Sequence, residues 1–250
     1  MITPRFYINS YSLNIGNFIT DNEFTIQHIR ALRLNIGSIC VLFNGIENIE
    51  WHAKLTDINK KSVCFEILSK NIINRELPNS INLVQSLITQ ANLELIIEKT
   101  TELGIDNIYL VPASYSNINL KGENKEKKLQ RFSKISISAC EQCGRNTLPN
   151  LHNLESWQNC LNLLTQLPET SLKIFLSTDI ANSNIINISD INTKNYTSIY
   201  YIIGAEGGFT DKEQSDLLSL GCIGVNLGHT ILRAETASIA VLSYLNLMLK

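Results

Sequence analysis

Three short segments late in the chain carry residue types that could bind a ligand and act on it. Residues 204–208 (GAEGG) directly follow the apolar run 199–203, and residues 227–233 (LGHTILR) follow the run 222–227. Residues 175–178 (FLST) end a third apolar run. Glycines at a strand end let the backbone turn sharply and approach a ligand, because no Cβ atom stands in the way. We therefore expect a ligand site at these strand ends.

The glycine pattern excludes two common nucleotide-binding motifs. Residues 204–208 do not match G-x-G-x-x-G, and they lie near the end of the chain instead of after a first strand. They also lack the G-x-x-x-x-G-K-[ST] pattern of a P-loop. The sequence therefore lacks the glycine motif that a nicotinamide-dependent oxidoreductase would need. A glycine cluster after a strand can also be a simple tight turn, but its coincidence with the segment 227–233 favours a ligand site.

Arg233 stands at the start of the last predicted helix, where its charge is unfavourable. The amino end of a helix carries the positive end of the dipole and prefers anions, such as Glu235 in the first turn. An arginine in this place, beside a glycine-rich strand end, indicates a role with a ligand. The alternative is an ion pair with Glu235 or Glu206, and the residues alone leave both possibilities open.

The composition is that of a folded protein. The 250 residues are 44% apolar and 18% charged, which excludes a disordered or fibrous chain. The uncharged run 236–249 is shorter than the roughly 20 apolar residues of a membrane span. The first residues have no secretory signal pattern. We therefore expect a cytoplasmic protein without a membrane partner.

Positive charge is concentrated in one segment although the net charge is −2. Residues 121–145 hold seven Lys or Arg against three Glu. The net charge excludes a strongly basic nucleic-acid binder, but a local basic surface can still contact RNA. A solvated helix face is the other explanation of such a run.

Six cysteines are present, and Cys140 and Cys143 form the only close pair in the sequence. A zinc site needs a second pair or well-spaced histidines, and the four histidines are scattered along the chain. We therefore expect reduced thiols packed within a helix, and no metal.

The elements that must position these residues fall into two parts. Residues 1–70 are predicted to form a small β-rich unit with one short helix near residues 25–34, followed by a polar linker at 69–80. After the linker, strands and helices alternate, which predicts a mostly parallel sheet with helices on both faces. The predicted strands are 39–43, 63–68, 81–87, 105–111, 172–176, 199–203 and 222–227, and the later predicted helices are 93–103, 125–143, 211–220 and 232–249.

Five ordered motifs resemble the signatures of the RsmE family, the small-subunit (16S) ribosomal RNA uridine-N3 methyltransferases of the SPOUT superfamily. They are 4–7 (PRFY), 99–104 (KTTELG), 140–145 (CEQCGR), 204–210 (GAEGGFT) and 227–237 (LGHTILRAETA). The resemblance spans nearly the whole chain. It departs from the family at Ala205, where Pro is usual, and at His229-Thr230, where Pro-Arg is common.

The resemblance implies a fold that strand and helix patterns alone do not predict. Residues 73–250 would form an α/β SPOUT-type methyltransferase domain, a parallel sheet with a C-terminal trefoil knot, which is an exception to the near-absence of knots. Residues 1–72 would form a PUA-like β-barrel that binds RNA. The protein would be a homodimer, with each active site near the subunit interface.

The resemblance also implies the ligands. The cofactor would be S-adenosylmethionine, bound largely through backbone groups of the three strand-end segments. The implied cofactor-binding residues are Leu176, Ser177, Ile203, Gly204, Glu206, Gly207, Gly208, Leu227, Gly228, Ile231 and Leu232. The RNA-binding residues expected with them are Arg5, Arg30, Arg33 and Arg145, together with the basic helix.

The expected reaction is methyl transfer from S-adenosylmethionine to N3 of a uridine in small-subunit ribosomal RNA. Loss of the N3 proton spreads negative charge onto two carbonyl oxygens, which a planar guanidinium suits well. Arg233 is therefore the candidate catalytic residue, while a water or Glu206 could be the base. Two alternatives stay open: another RNA substrate such as transfer RNA, and a non-catalytic RNA-binding module.

Overall fold

The computed structural model of the protein describes residues 3–10, 13–122, 124–178 and 185–249. Two compact units make up the chain: Met1–Glu76 with Ile137–Leu148, and Leu77–Ser136 with Pro149–Lys250. The assignment of residues 1–72 and 73–250 to an RNA-binding barrel and a methyltransferase domain stays a prediction. Glu123, counted in the basic segment, lies outside the described residues.

The first unit contains a five-stranded sheet and one helix. Its elements are β1 (Arg5–Tyr7), β2 (Gly16–Thr20), α1 (Glu23–Ala31), β3 (Ile39–Phe43), β4 (Ile49–Ile58) and β5 (Val63–Ile72). The strand order is β1-β3-β4-β5-β2, in which β1 and β3 are parallel and the other pairs antiparallel. Register shifts in the β4–β5 pairing, at His52/Ala53 and Leu55/Asp57, are the irregularities that let a long hairpin bend.

Local sequence predicts much of this unit. Strand 39–43 is confirmed, and strand 63–68 is confirmed but extends to Ile72. The predicted helix begins at Glu23 because the Asn22 side chain accepts a hydrogen bond from the Thr25 amide and caps it. Ile29 on the inner face of this helix and Phe65 on β5 are fully buried in the same core.

The second unit contains a seven-stranded sheet in which every pair of neighbouring strands is parallel, as predicted. Its strands are β6 (Ser80–Ser86), β7 (Asn107–Val111), β8 (Asn150–Asn153), β9 (Ser171–Leu176), β10 (Ile185–Asn187), β11 (Ser198–Ile203) and β12 (Ile223–Asn226). The order is β10-β12-β9-β11-β6-β7-β8. Strand β12 therefore lies between β9 and β10, although it follows both in the chain.

Helices cover both faces of this sheet. They are α2 (Gln90–Glu102), α3 (Asn124–Cys143), α4 (Trp157–Thr165), α5 (Asp211–Ser219) and α6 (Ala234–Met248). Alternate strand residues belong to different cores: Ile199 and Tyr201 pack with α2 and α6, whereas Ile202 packs with α4 and α5. This two-sided burial explains why the strands are apolar runs instead of alternating patterns.

Several elements, most of them short, were not predicted from the sequence. Strands β1, β2, β4, β8 and β10, helix α4 and a 3₁₀ turn at Ile188–Asp190 all lacked a prediction. Helix α4 has only nine residues, yet Ser156 caps it by accepting a hydrogen bond from the Asn159 amide, which is a readable start signal. No helix among the described residues is long and apolar enough to span a membrane.

Candidate active site

A cavity of about 220 Å³ lies at the carboxyl ends of β9, β11 and β12, where a parallel sheet is expected to bind ligands. All eleven predicted cofactor-binding residues line it. Six more lining residues were not predicted: Thr178, Ala205, Asn226, Thr230, Ala234 and Ala237. Four of them are immediate neighbours of predicted residues. The other two, Ala234 and Ala237, belong to the first turn of α6. Their small side chains were the sequence feature that could have indicated space for a ligand there.

Glycines shape the loop that follows β11. A Cβ on Gly204 would lie 2.8 Å from the carbonyl carbon of Gly208, so the turn closes only with glycine there. Gly208 has a φ of 76° and donates its amide hydrogen to the Ala205 carbonyl oxygen at 2.9 Å. By contrast, a Cβ on Gly207 would meet the Tyr115 ring at 3.1 Å. The absent side chain of Gly207 therefore leaves room for Tyr115.

The buried carboxylate of Glu213 holds the start of α5 to the segment after β7. It accepts hydrogen bonds from the amide and hydroxyl of Thr210, which completes a capping box, and from the amide and hydroxyl of Ser114. Burial alone would raise the pKa of Glu213, but the hydrogen bonds from Ser114 and Thr210 outweigh it and hold that pKa below its usual range. The capping box was predicted from sequence; the bonds to Ser114 were not.

The segment after β7 also holds Glu206 in the glycine loop. The Asn117 side-chain amide donates a hydrogen bond to Glu206 Oε2 at 2.7 Å. Glu206 is exposed and lines the 220 Å³ cavity. Tyr115, two residues before Asn117, covers Gly207 while half of its side chain stays exposed. Residues 114–117 therefore form one wall beside the glycine loop.

A second cavity, of about 390 Å³, adjoins the first. It is lined by Asn92, Glu206, Arg233, Ala234 and Glu235. Two of these residues, Glu206 and Ala234, line both cavities, so the two cavities are adjacent there.

Arg233 precedes α6 as its N-cap, and its side chain makes no capping hydrogen bond. Within the described part of the chain, its guanidinium has no hydrogen bond or ion pair, so the pairing with Glu206 or Glu235 considered above does not form. The residue is exposed. Its charge is therefore free to meet a ligand.

Arg5 and Arg145, both proposed above to contact RNA, have their charges paired inside the first unit. Arg5 donates to Glu50 Oε1 at 2.5 Å and to the Asn146 side-chain oxygen at 2.7 Å. Arg145 is buried and forms an ion pair with Glu76. A guanidinium that is buried and already paired has few donors left for a phosphate. The geometry thus argues against phosphate contacts by these two arginines.

Glu50 is the buried centre of the Arg5 pairing. Its Oε1 also accepts a hydrogen bond from Arg75 at 2.6 Å. Burial would raise the pKa of Glu50, but hydrogen bonds and charge from Arg75 and Arg5 more than compensate and lower that pKa. The two arginines therefore stabilise an ionised carboxylate within the first unit.

The other predicted RNA contacts are accessible. Arg30 and Arg33 are exposed, and Arg30 donates hydrogen bonds only to the carbonyl oxygens of Asn59 and Lys60 within the described residues. On α3, Arg131 makes a two-point contact with Glu94, at 2.5 and 2.8 Å. Among the described residues, the α3 lysines that make no such pair are Lys127 and Lys134, which are exposed, and Lys128, which is half-buried.

The close cysteine pair lies at the end of α3. Cys140 is buried, and a hydrogen bond with Cys143 together with burial raises the pKa of its thiol. All six cysteines are free thiols. In the residues that the structure describes, no group of three or more His, Cys, Asp or Glu is placed to hold a metal ion.

Comparison with known proteins identifies the family. The sequence model of the RNA methyltransferase domain matches residues 75–246, and that of the RNA methyltransferase PUA domain matches residues 23–68. The chain is 30% identical to the ribosomal RNA small subunit methyltransferase E of Buchnera aphidicola (subspecies Acyrthosiphon pisum), covering 98% of this chain and 93% of that protein. The chain belongs to the ribosomal RNA small subunit methyltransferase E family. The resemblance predicted from the five motifs is thereby confirmed.

Solved structures agree with membership of the small subunit methyltransferase E family. The enzyme of that name from Neisseria gonorrhoeae, bound to S-adenosyl methionine, superposes with a TM-score of 0.86 at 28% identity, over 99% of this chain and 98% of that one. The methyltransferase Lpg2936 from Legionella pneumophila, in complex with SAM, gives a TM-score of 0.89 at 31% identity with the same coverage. The α/β fold with an N-terminal PUA-like domain is therefore that of methyltransferase E proteins.

Proposed function

We propose that this protein transfers a methyl group from S-adenosylmethionine to N3 of a uridine in small-subunit (16S) ribosomal RNA. The observation that carries the proposal is the pair of adjoining cavities at the strand ends. One is walled by glycine backbone and small apolar side chains, and the other contains an unpaired Arg233. A methyl donor and its acceptor must occupy neighbouring spaces, so two adjacent cavities suit the reaction. Related proteins are small subunit methyltransferases.

The residues of the first cavity fit S-adenosylmethionine. Apolar side chains such as Leu176, Ile203 and Leu227 suit the face of an adenine, and the surrounding glycines expose backbone groups to its polar edge. The carboxylate of Glu206 suits the positive charge of the ligand. When bound, the cofactor supplies a methyl group already activated by its sulfonium charge.

Arg233 is the proposed catalytic residue of the second cavity. Removal of the N3 proton leaves negative charge on the two carbonyl oxygens of uracil, and a preorganised donor facing them lowers the barrier. The planar guanidinium can reach such oxygens with two hydrogen bonds. Since N3 faces the pairing edge of the base, the target uridine must be unpaired or flipped out.

RNA contacts are proposed for exposed cations. These are Arg30 and Arg33 on the first unit and the lysines on the outer face of α3. Phosphate contacts of this kind fix the register of the RNA and carry no sequence information. Arg5 and Arg145 are instead proposed to hold the first unit together.

Three further features are proposed on the basis of family membership. The insertion of β12 between β9 and β10 is compatible with a C-terminal trefoil knot of the SPOUT type. A homodimer is proposed as well. Because the substrate is ribosomal RNA, we place the protein in the cytoplasm.

The test is a methylation map of ribosomal and transfer RNA from cells with and without this protein, read by mass spectrometry of nucleosides and fragments. We expect one N3-methyluridine of small-subunit RNA to disappear without the protein and to return on complementation. An unchanged ribosomal map, or a methyl group missing from transfer RNA instead, would contradict the proposal. Incubating purified protein, labelled S-adenosylmethionine and unmodified RNA should restore the same methyl group.

A further inference from the structure

Glu235 has a buried carboxylate with an unused hydrogen-bond acceptor. The residue is only 8% exposed, and its Oε2 has no hydrogen-bond partner among the described residues. It lies in the first turn of α6 and lines the second cavity, two residues after Arg233. Neither the motifs nor the family comparisons assign it a role.

An orphaned buried acceptor is costly, and the fold does little to offset it. Buried polar atoms are paired in the great majority of cases, and leaving one unpaired costs about 1–3 kcal/mol, more for a charged group. The amino end of α6 favours the negative charge of Glu235. That general attraction supplies no hydrogen to Oε2. A ligand in the second cavity can bring a donor to this carboxylate once the side chain turns toward the cavity.

The pairing edge of uracil matches this arrangement of charges. It presents one N–H donor at N3 between two carbonyl acceptors. The residues that line the second cavity include one that can accept, Glu235, and two that can donate, Arg233 and Asn92. A carboxylate that accepts the N3 hydrogen and a guanidinium that donates to a carbonyl oxygen would together recognise that edge.

Building on the proposed function, we propose that Glu235 is the general base that removes the N3 proton of the target uracil. As the N3 lone pair forms the new N–CH₃ bond, the bond between methyl and sulfur breaks and its electron pair goes to sulfur. The N3 proton passes to the Glu235 carboxylate. The products are N3-methyluridine, S-adenosylhomocysteine and a protonated Glu235, which later releases its proton to water.

Glu206, the other carboxylate of the second cavity, is less suited to this role. It is exposed, and its Oε2 already accepts a hydrogen bond from Asn117. Water in an exposed position competes for its remaining acceptor sites. Glu235 is instead a mostly buried residue in the wall of the same cavity, where less water competes for its carboxylate.

The experiment measures single-turnover methylation of unmodified small-subunit RNA by wild type, Glu235→Gln and Asp211→Asn between pH 6 and pH 9.5. Asp211 is the matched control, because it is an exposed carboxylate in the first turn of α5. S-adenosylmethionine affinity is measured by calorimetry for each variant. A general base contributes about 10²–10⁴-fold to a rate.

We expect Glu235→Gln to keep its cofactor affinity and lose about 10²–10⁴-fold in rate at neutral pH. Its rate should rise about tenfold per pH unit, because the uracil must then ionise without help. RNA containing 5-fluorouridine, whose N3–H is more acidic, should rescue Glu235→Gln far more than it accelerates wild type. Asp211→Asn should match wild type throughout.

The experiment distinguishes a failure of this proposal from a failure of the proposed function. If wild type methylates no RNA, the function is wrong. If wild type is active and Glu235→Gln keeps its rate, or loses it without alkaline or fluorouridine rescue, Glu235 is not the base. If Glu235→Gln fails to fold, Glu235→Asp is tested in its place. This variant keeps the negative charge but has a side chain shorter by one methylene group. That variant must then be slower than wild type and be rescued by fluorouridine, and an Asp variant as fast as wild type overturns the proposal.

Discussion

At the scale of single residues, the site depends on side chains whose partners are missing from the protein itself. Arg233 has an exposed guanidinium without an ion pair in the described chain, and Glu235 has a buried oxygen without a donor. Both lie at the start of α6, where only the negative charge is favoured by the helix dipole. Folding stability therefore does not explain an arginine at position 233, whereas binding of a ligand would explain it.

Replacing Arg233 by Ala should leave the fold and most cofactor affinity intact but slow methylation by about 10²–10³-fold, the scale of one missing oxyanion donor. Lys should restore only part of the rate, because an ammonium cannot present a planar fork. Single-turnover rates and calorimetry with S-adenosylmethionine measure both effects. Lys212→Ala, an exposed cation on α5, is the control. An unfolded Arg233→Ala protein would make the residue structural, and normal turnover would show that it has no catalytic role.

Gly208 and Gly221 form a matched pair for testing the cofactor loop. Their φ values are 76° and 72°, and a Cβ on either would meet nothing within 4 Å. Ala at either position should cost about 1–2 kcal/mol, because this backbone region is strained for residues with a Cβ. Only Gly208 lines the cavity. We expect Gly208→Ala alone to weaken S-adenosylmethionine binding by about tenfold or more, or 1.4 kcal/mol. Equal affinities in the two variants would remove residues 204–208 from the cofactor site.

At the scale of elements, Glu213 links the segment after β7 to the start of α5. Because the folded pKa of Glu213 is lower than its ordinary value of 4.5, its contribution to stability is present above pH 4.5. It is lost as the pH falls through the lowered value. Glu213→Gln should therefore reduce the free energy of unfolding by about 1–3 kcal/mol at pH 7. The deficit should shrink in acid.

Urea unfolding of Glu213→Gln, wild type and Asp211→Asn at pH 7 and pH 3.5 tests the role of Glu213. Asp211→Asn removes an exposed charge from the same helix turn and should change stability little. A deficit for Glu213→Gln that stays constant with pH would show that the stabilising interaction is not that of an ionised carboxylate.

The outer face of α3 is an element-scale candidate for RNA contact. Replacing Lys127, Lys128 and Lys134 by Gln should weaken RNA binding and reduce the log–log salt slope by about 0.7–0.9 for each phosphate that the variant no longer neutralises. Arg131→Gln should have a smaller effect, because Glu94 already pairs with that guanidinium. Fluorescence anisotropy at several salt concentrations gives the slopes. An identical slope for the triple variant would mean that the lysines are only a solvated helix face.

At the scale of the whole molecule, the proposed homodimer makes a separate prediction. Helix α6 ends in exposed apolar side chains, with Leu247 72% and Met248 48% exposed. Burying such side chains against a second copy would remove apolar surface from water. We expect a single dimeric species in sedimentation at micromolar concentration, with a two-fold interface. Leu247→Glu should weaken it, and Leu218→Glu, an exposed leucine of α5, should not. An active wild-type monomer would contradict the dimer.

The sequence by itself determined the features that depend on neighbouring residues. Compact runs of five to seven residues predicted the parallel strands, because strands buried on both faces have no polar alternation. The glycine cluster after β11 and the segment 227–233 after β12 predicted the cavity, because parallel strands place their carboxyl ends at one edge. The capping box of Thr210 and Glu213 predicted the start of α5, because its two partners are only three residues apart in the chain.

Only the tertiary structure decided which charges are available. Arg5 and Arg33 look alike in sequence, yet Arg5 is paired with Glu50, 45 residues away, and Arg33 is exposed. Asn117 holds Glu206 across 89 residues. Glu235 Oε2 is buried without a hydrogen-bond partner because of the elements that pack around it. Whether a charge is available to a ligand depends on its burial and on partners that are distant in the chain, and residue spacing does not encode either. Local sequence patterns could therefore locate the site, but they could not show which of its side chains are free to act on a ligand.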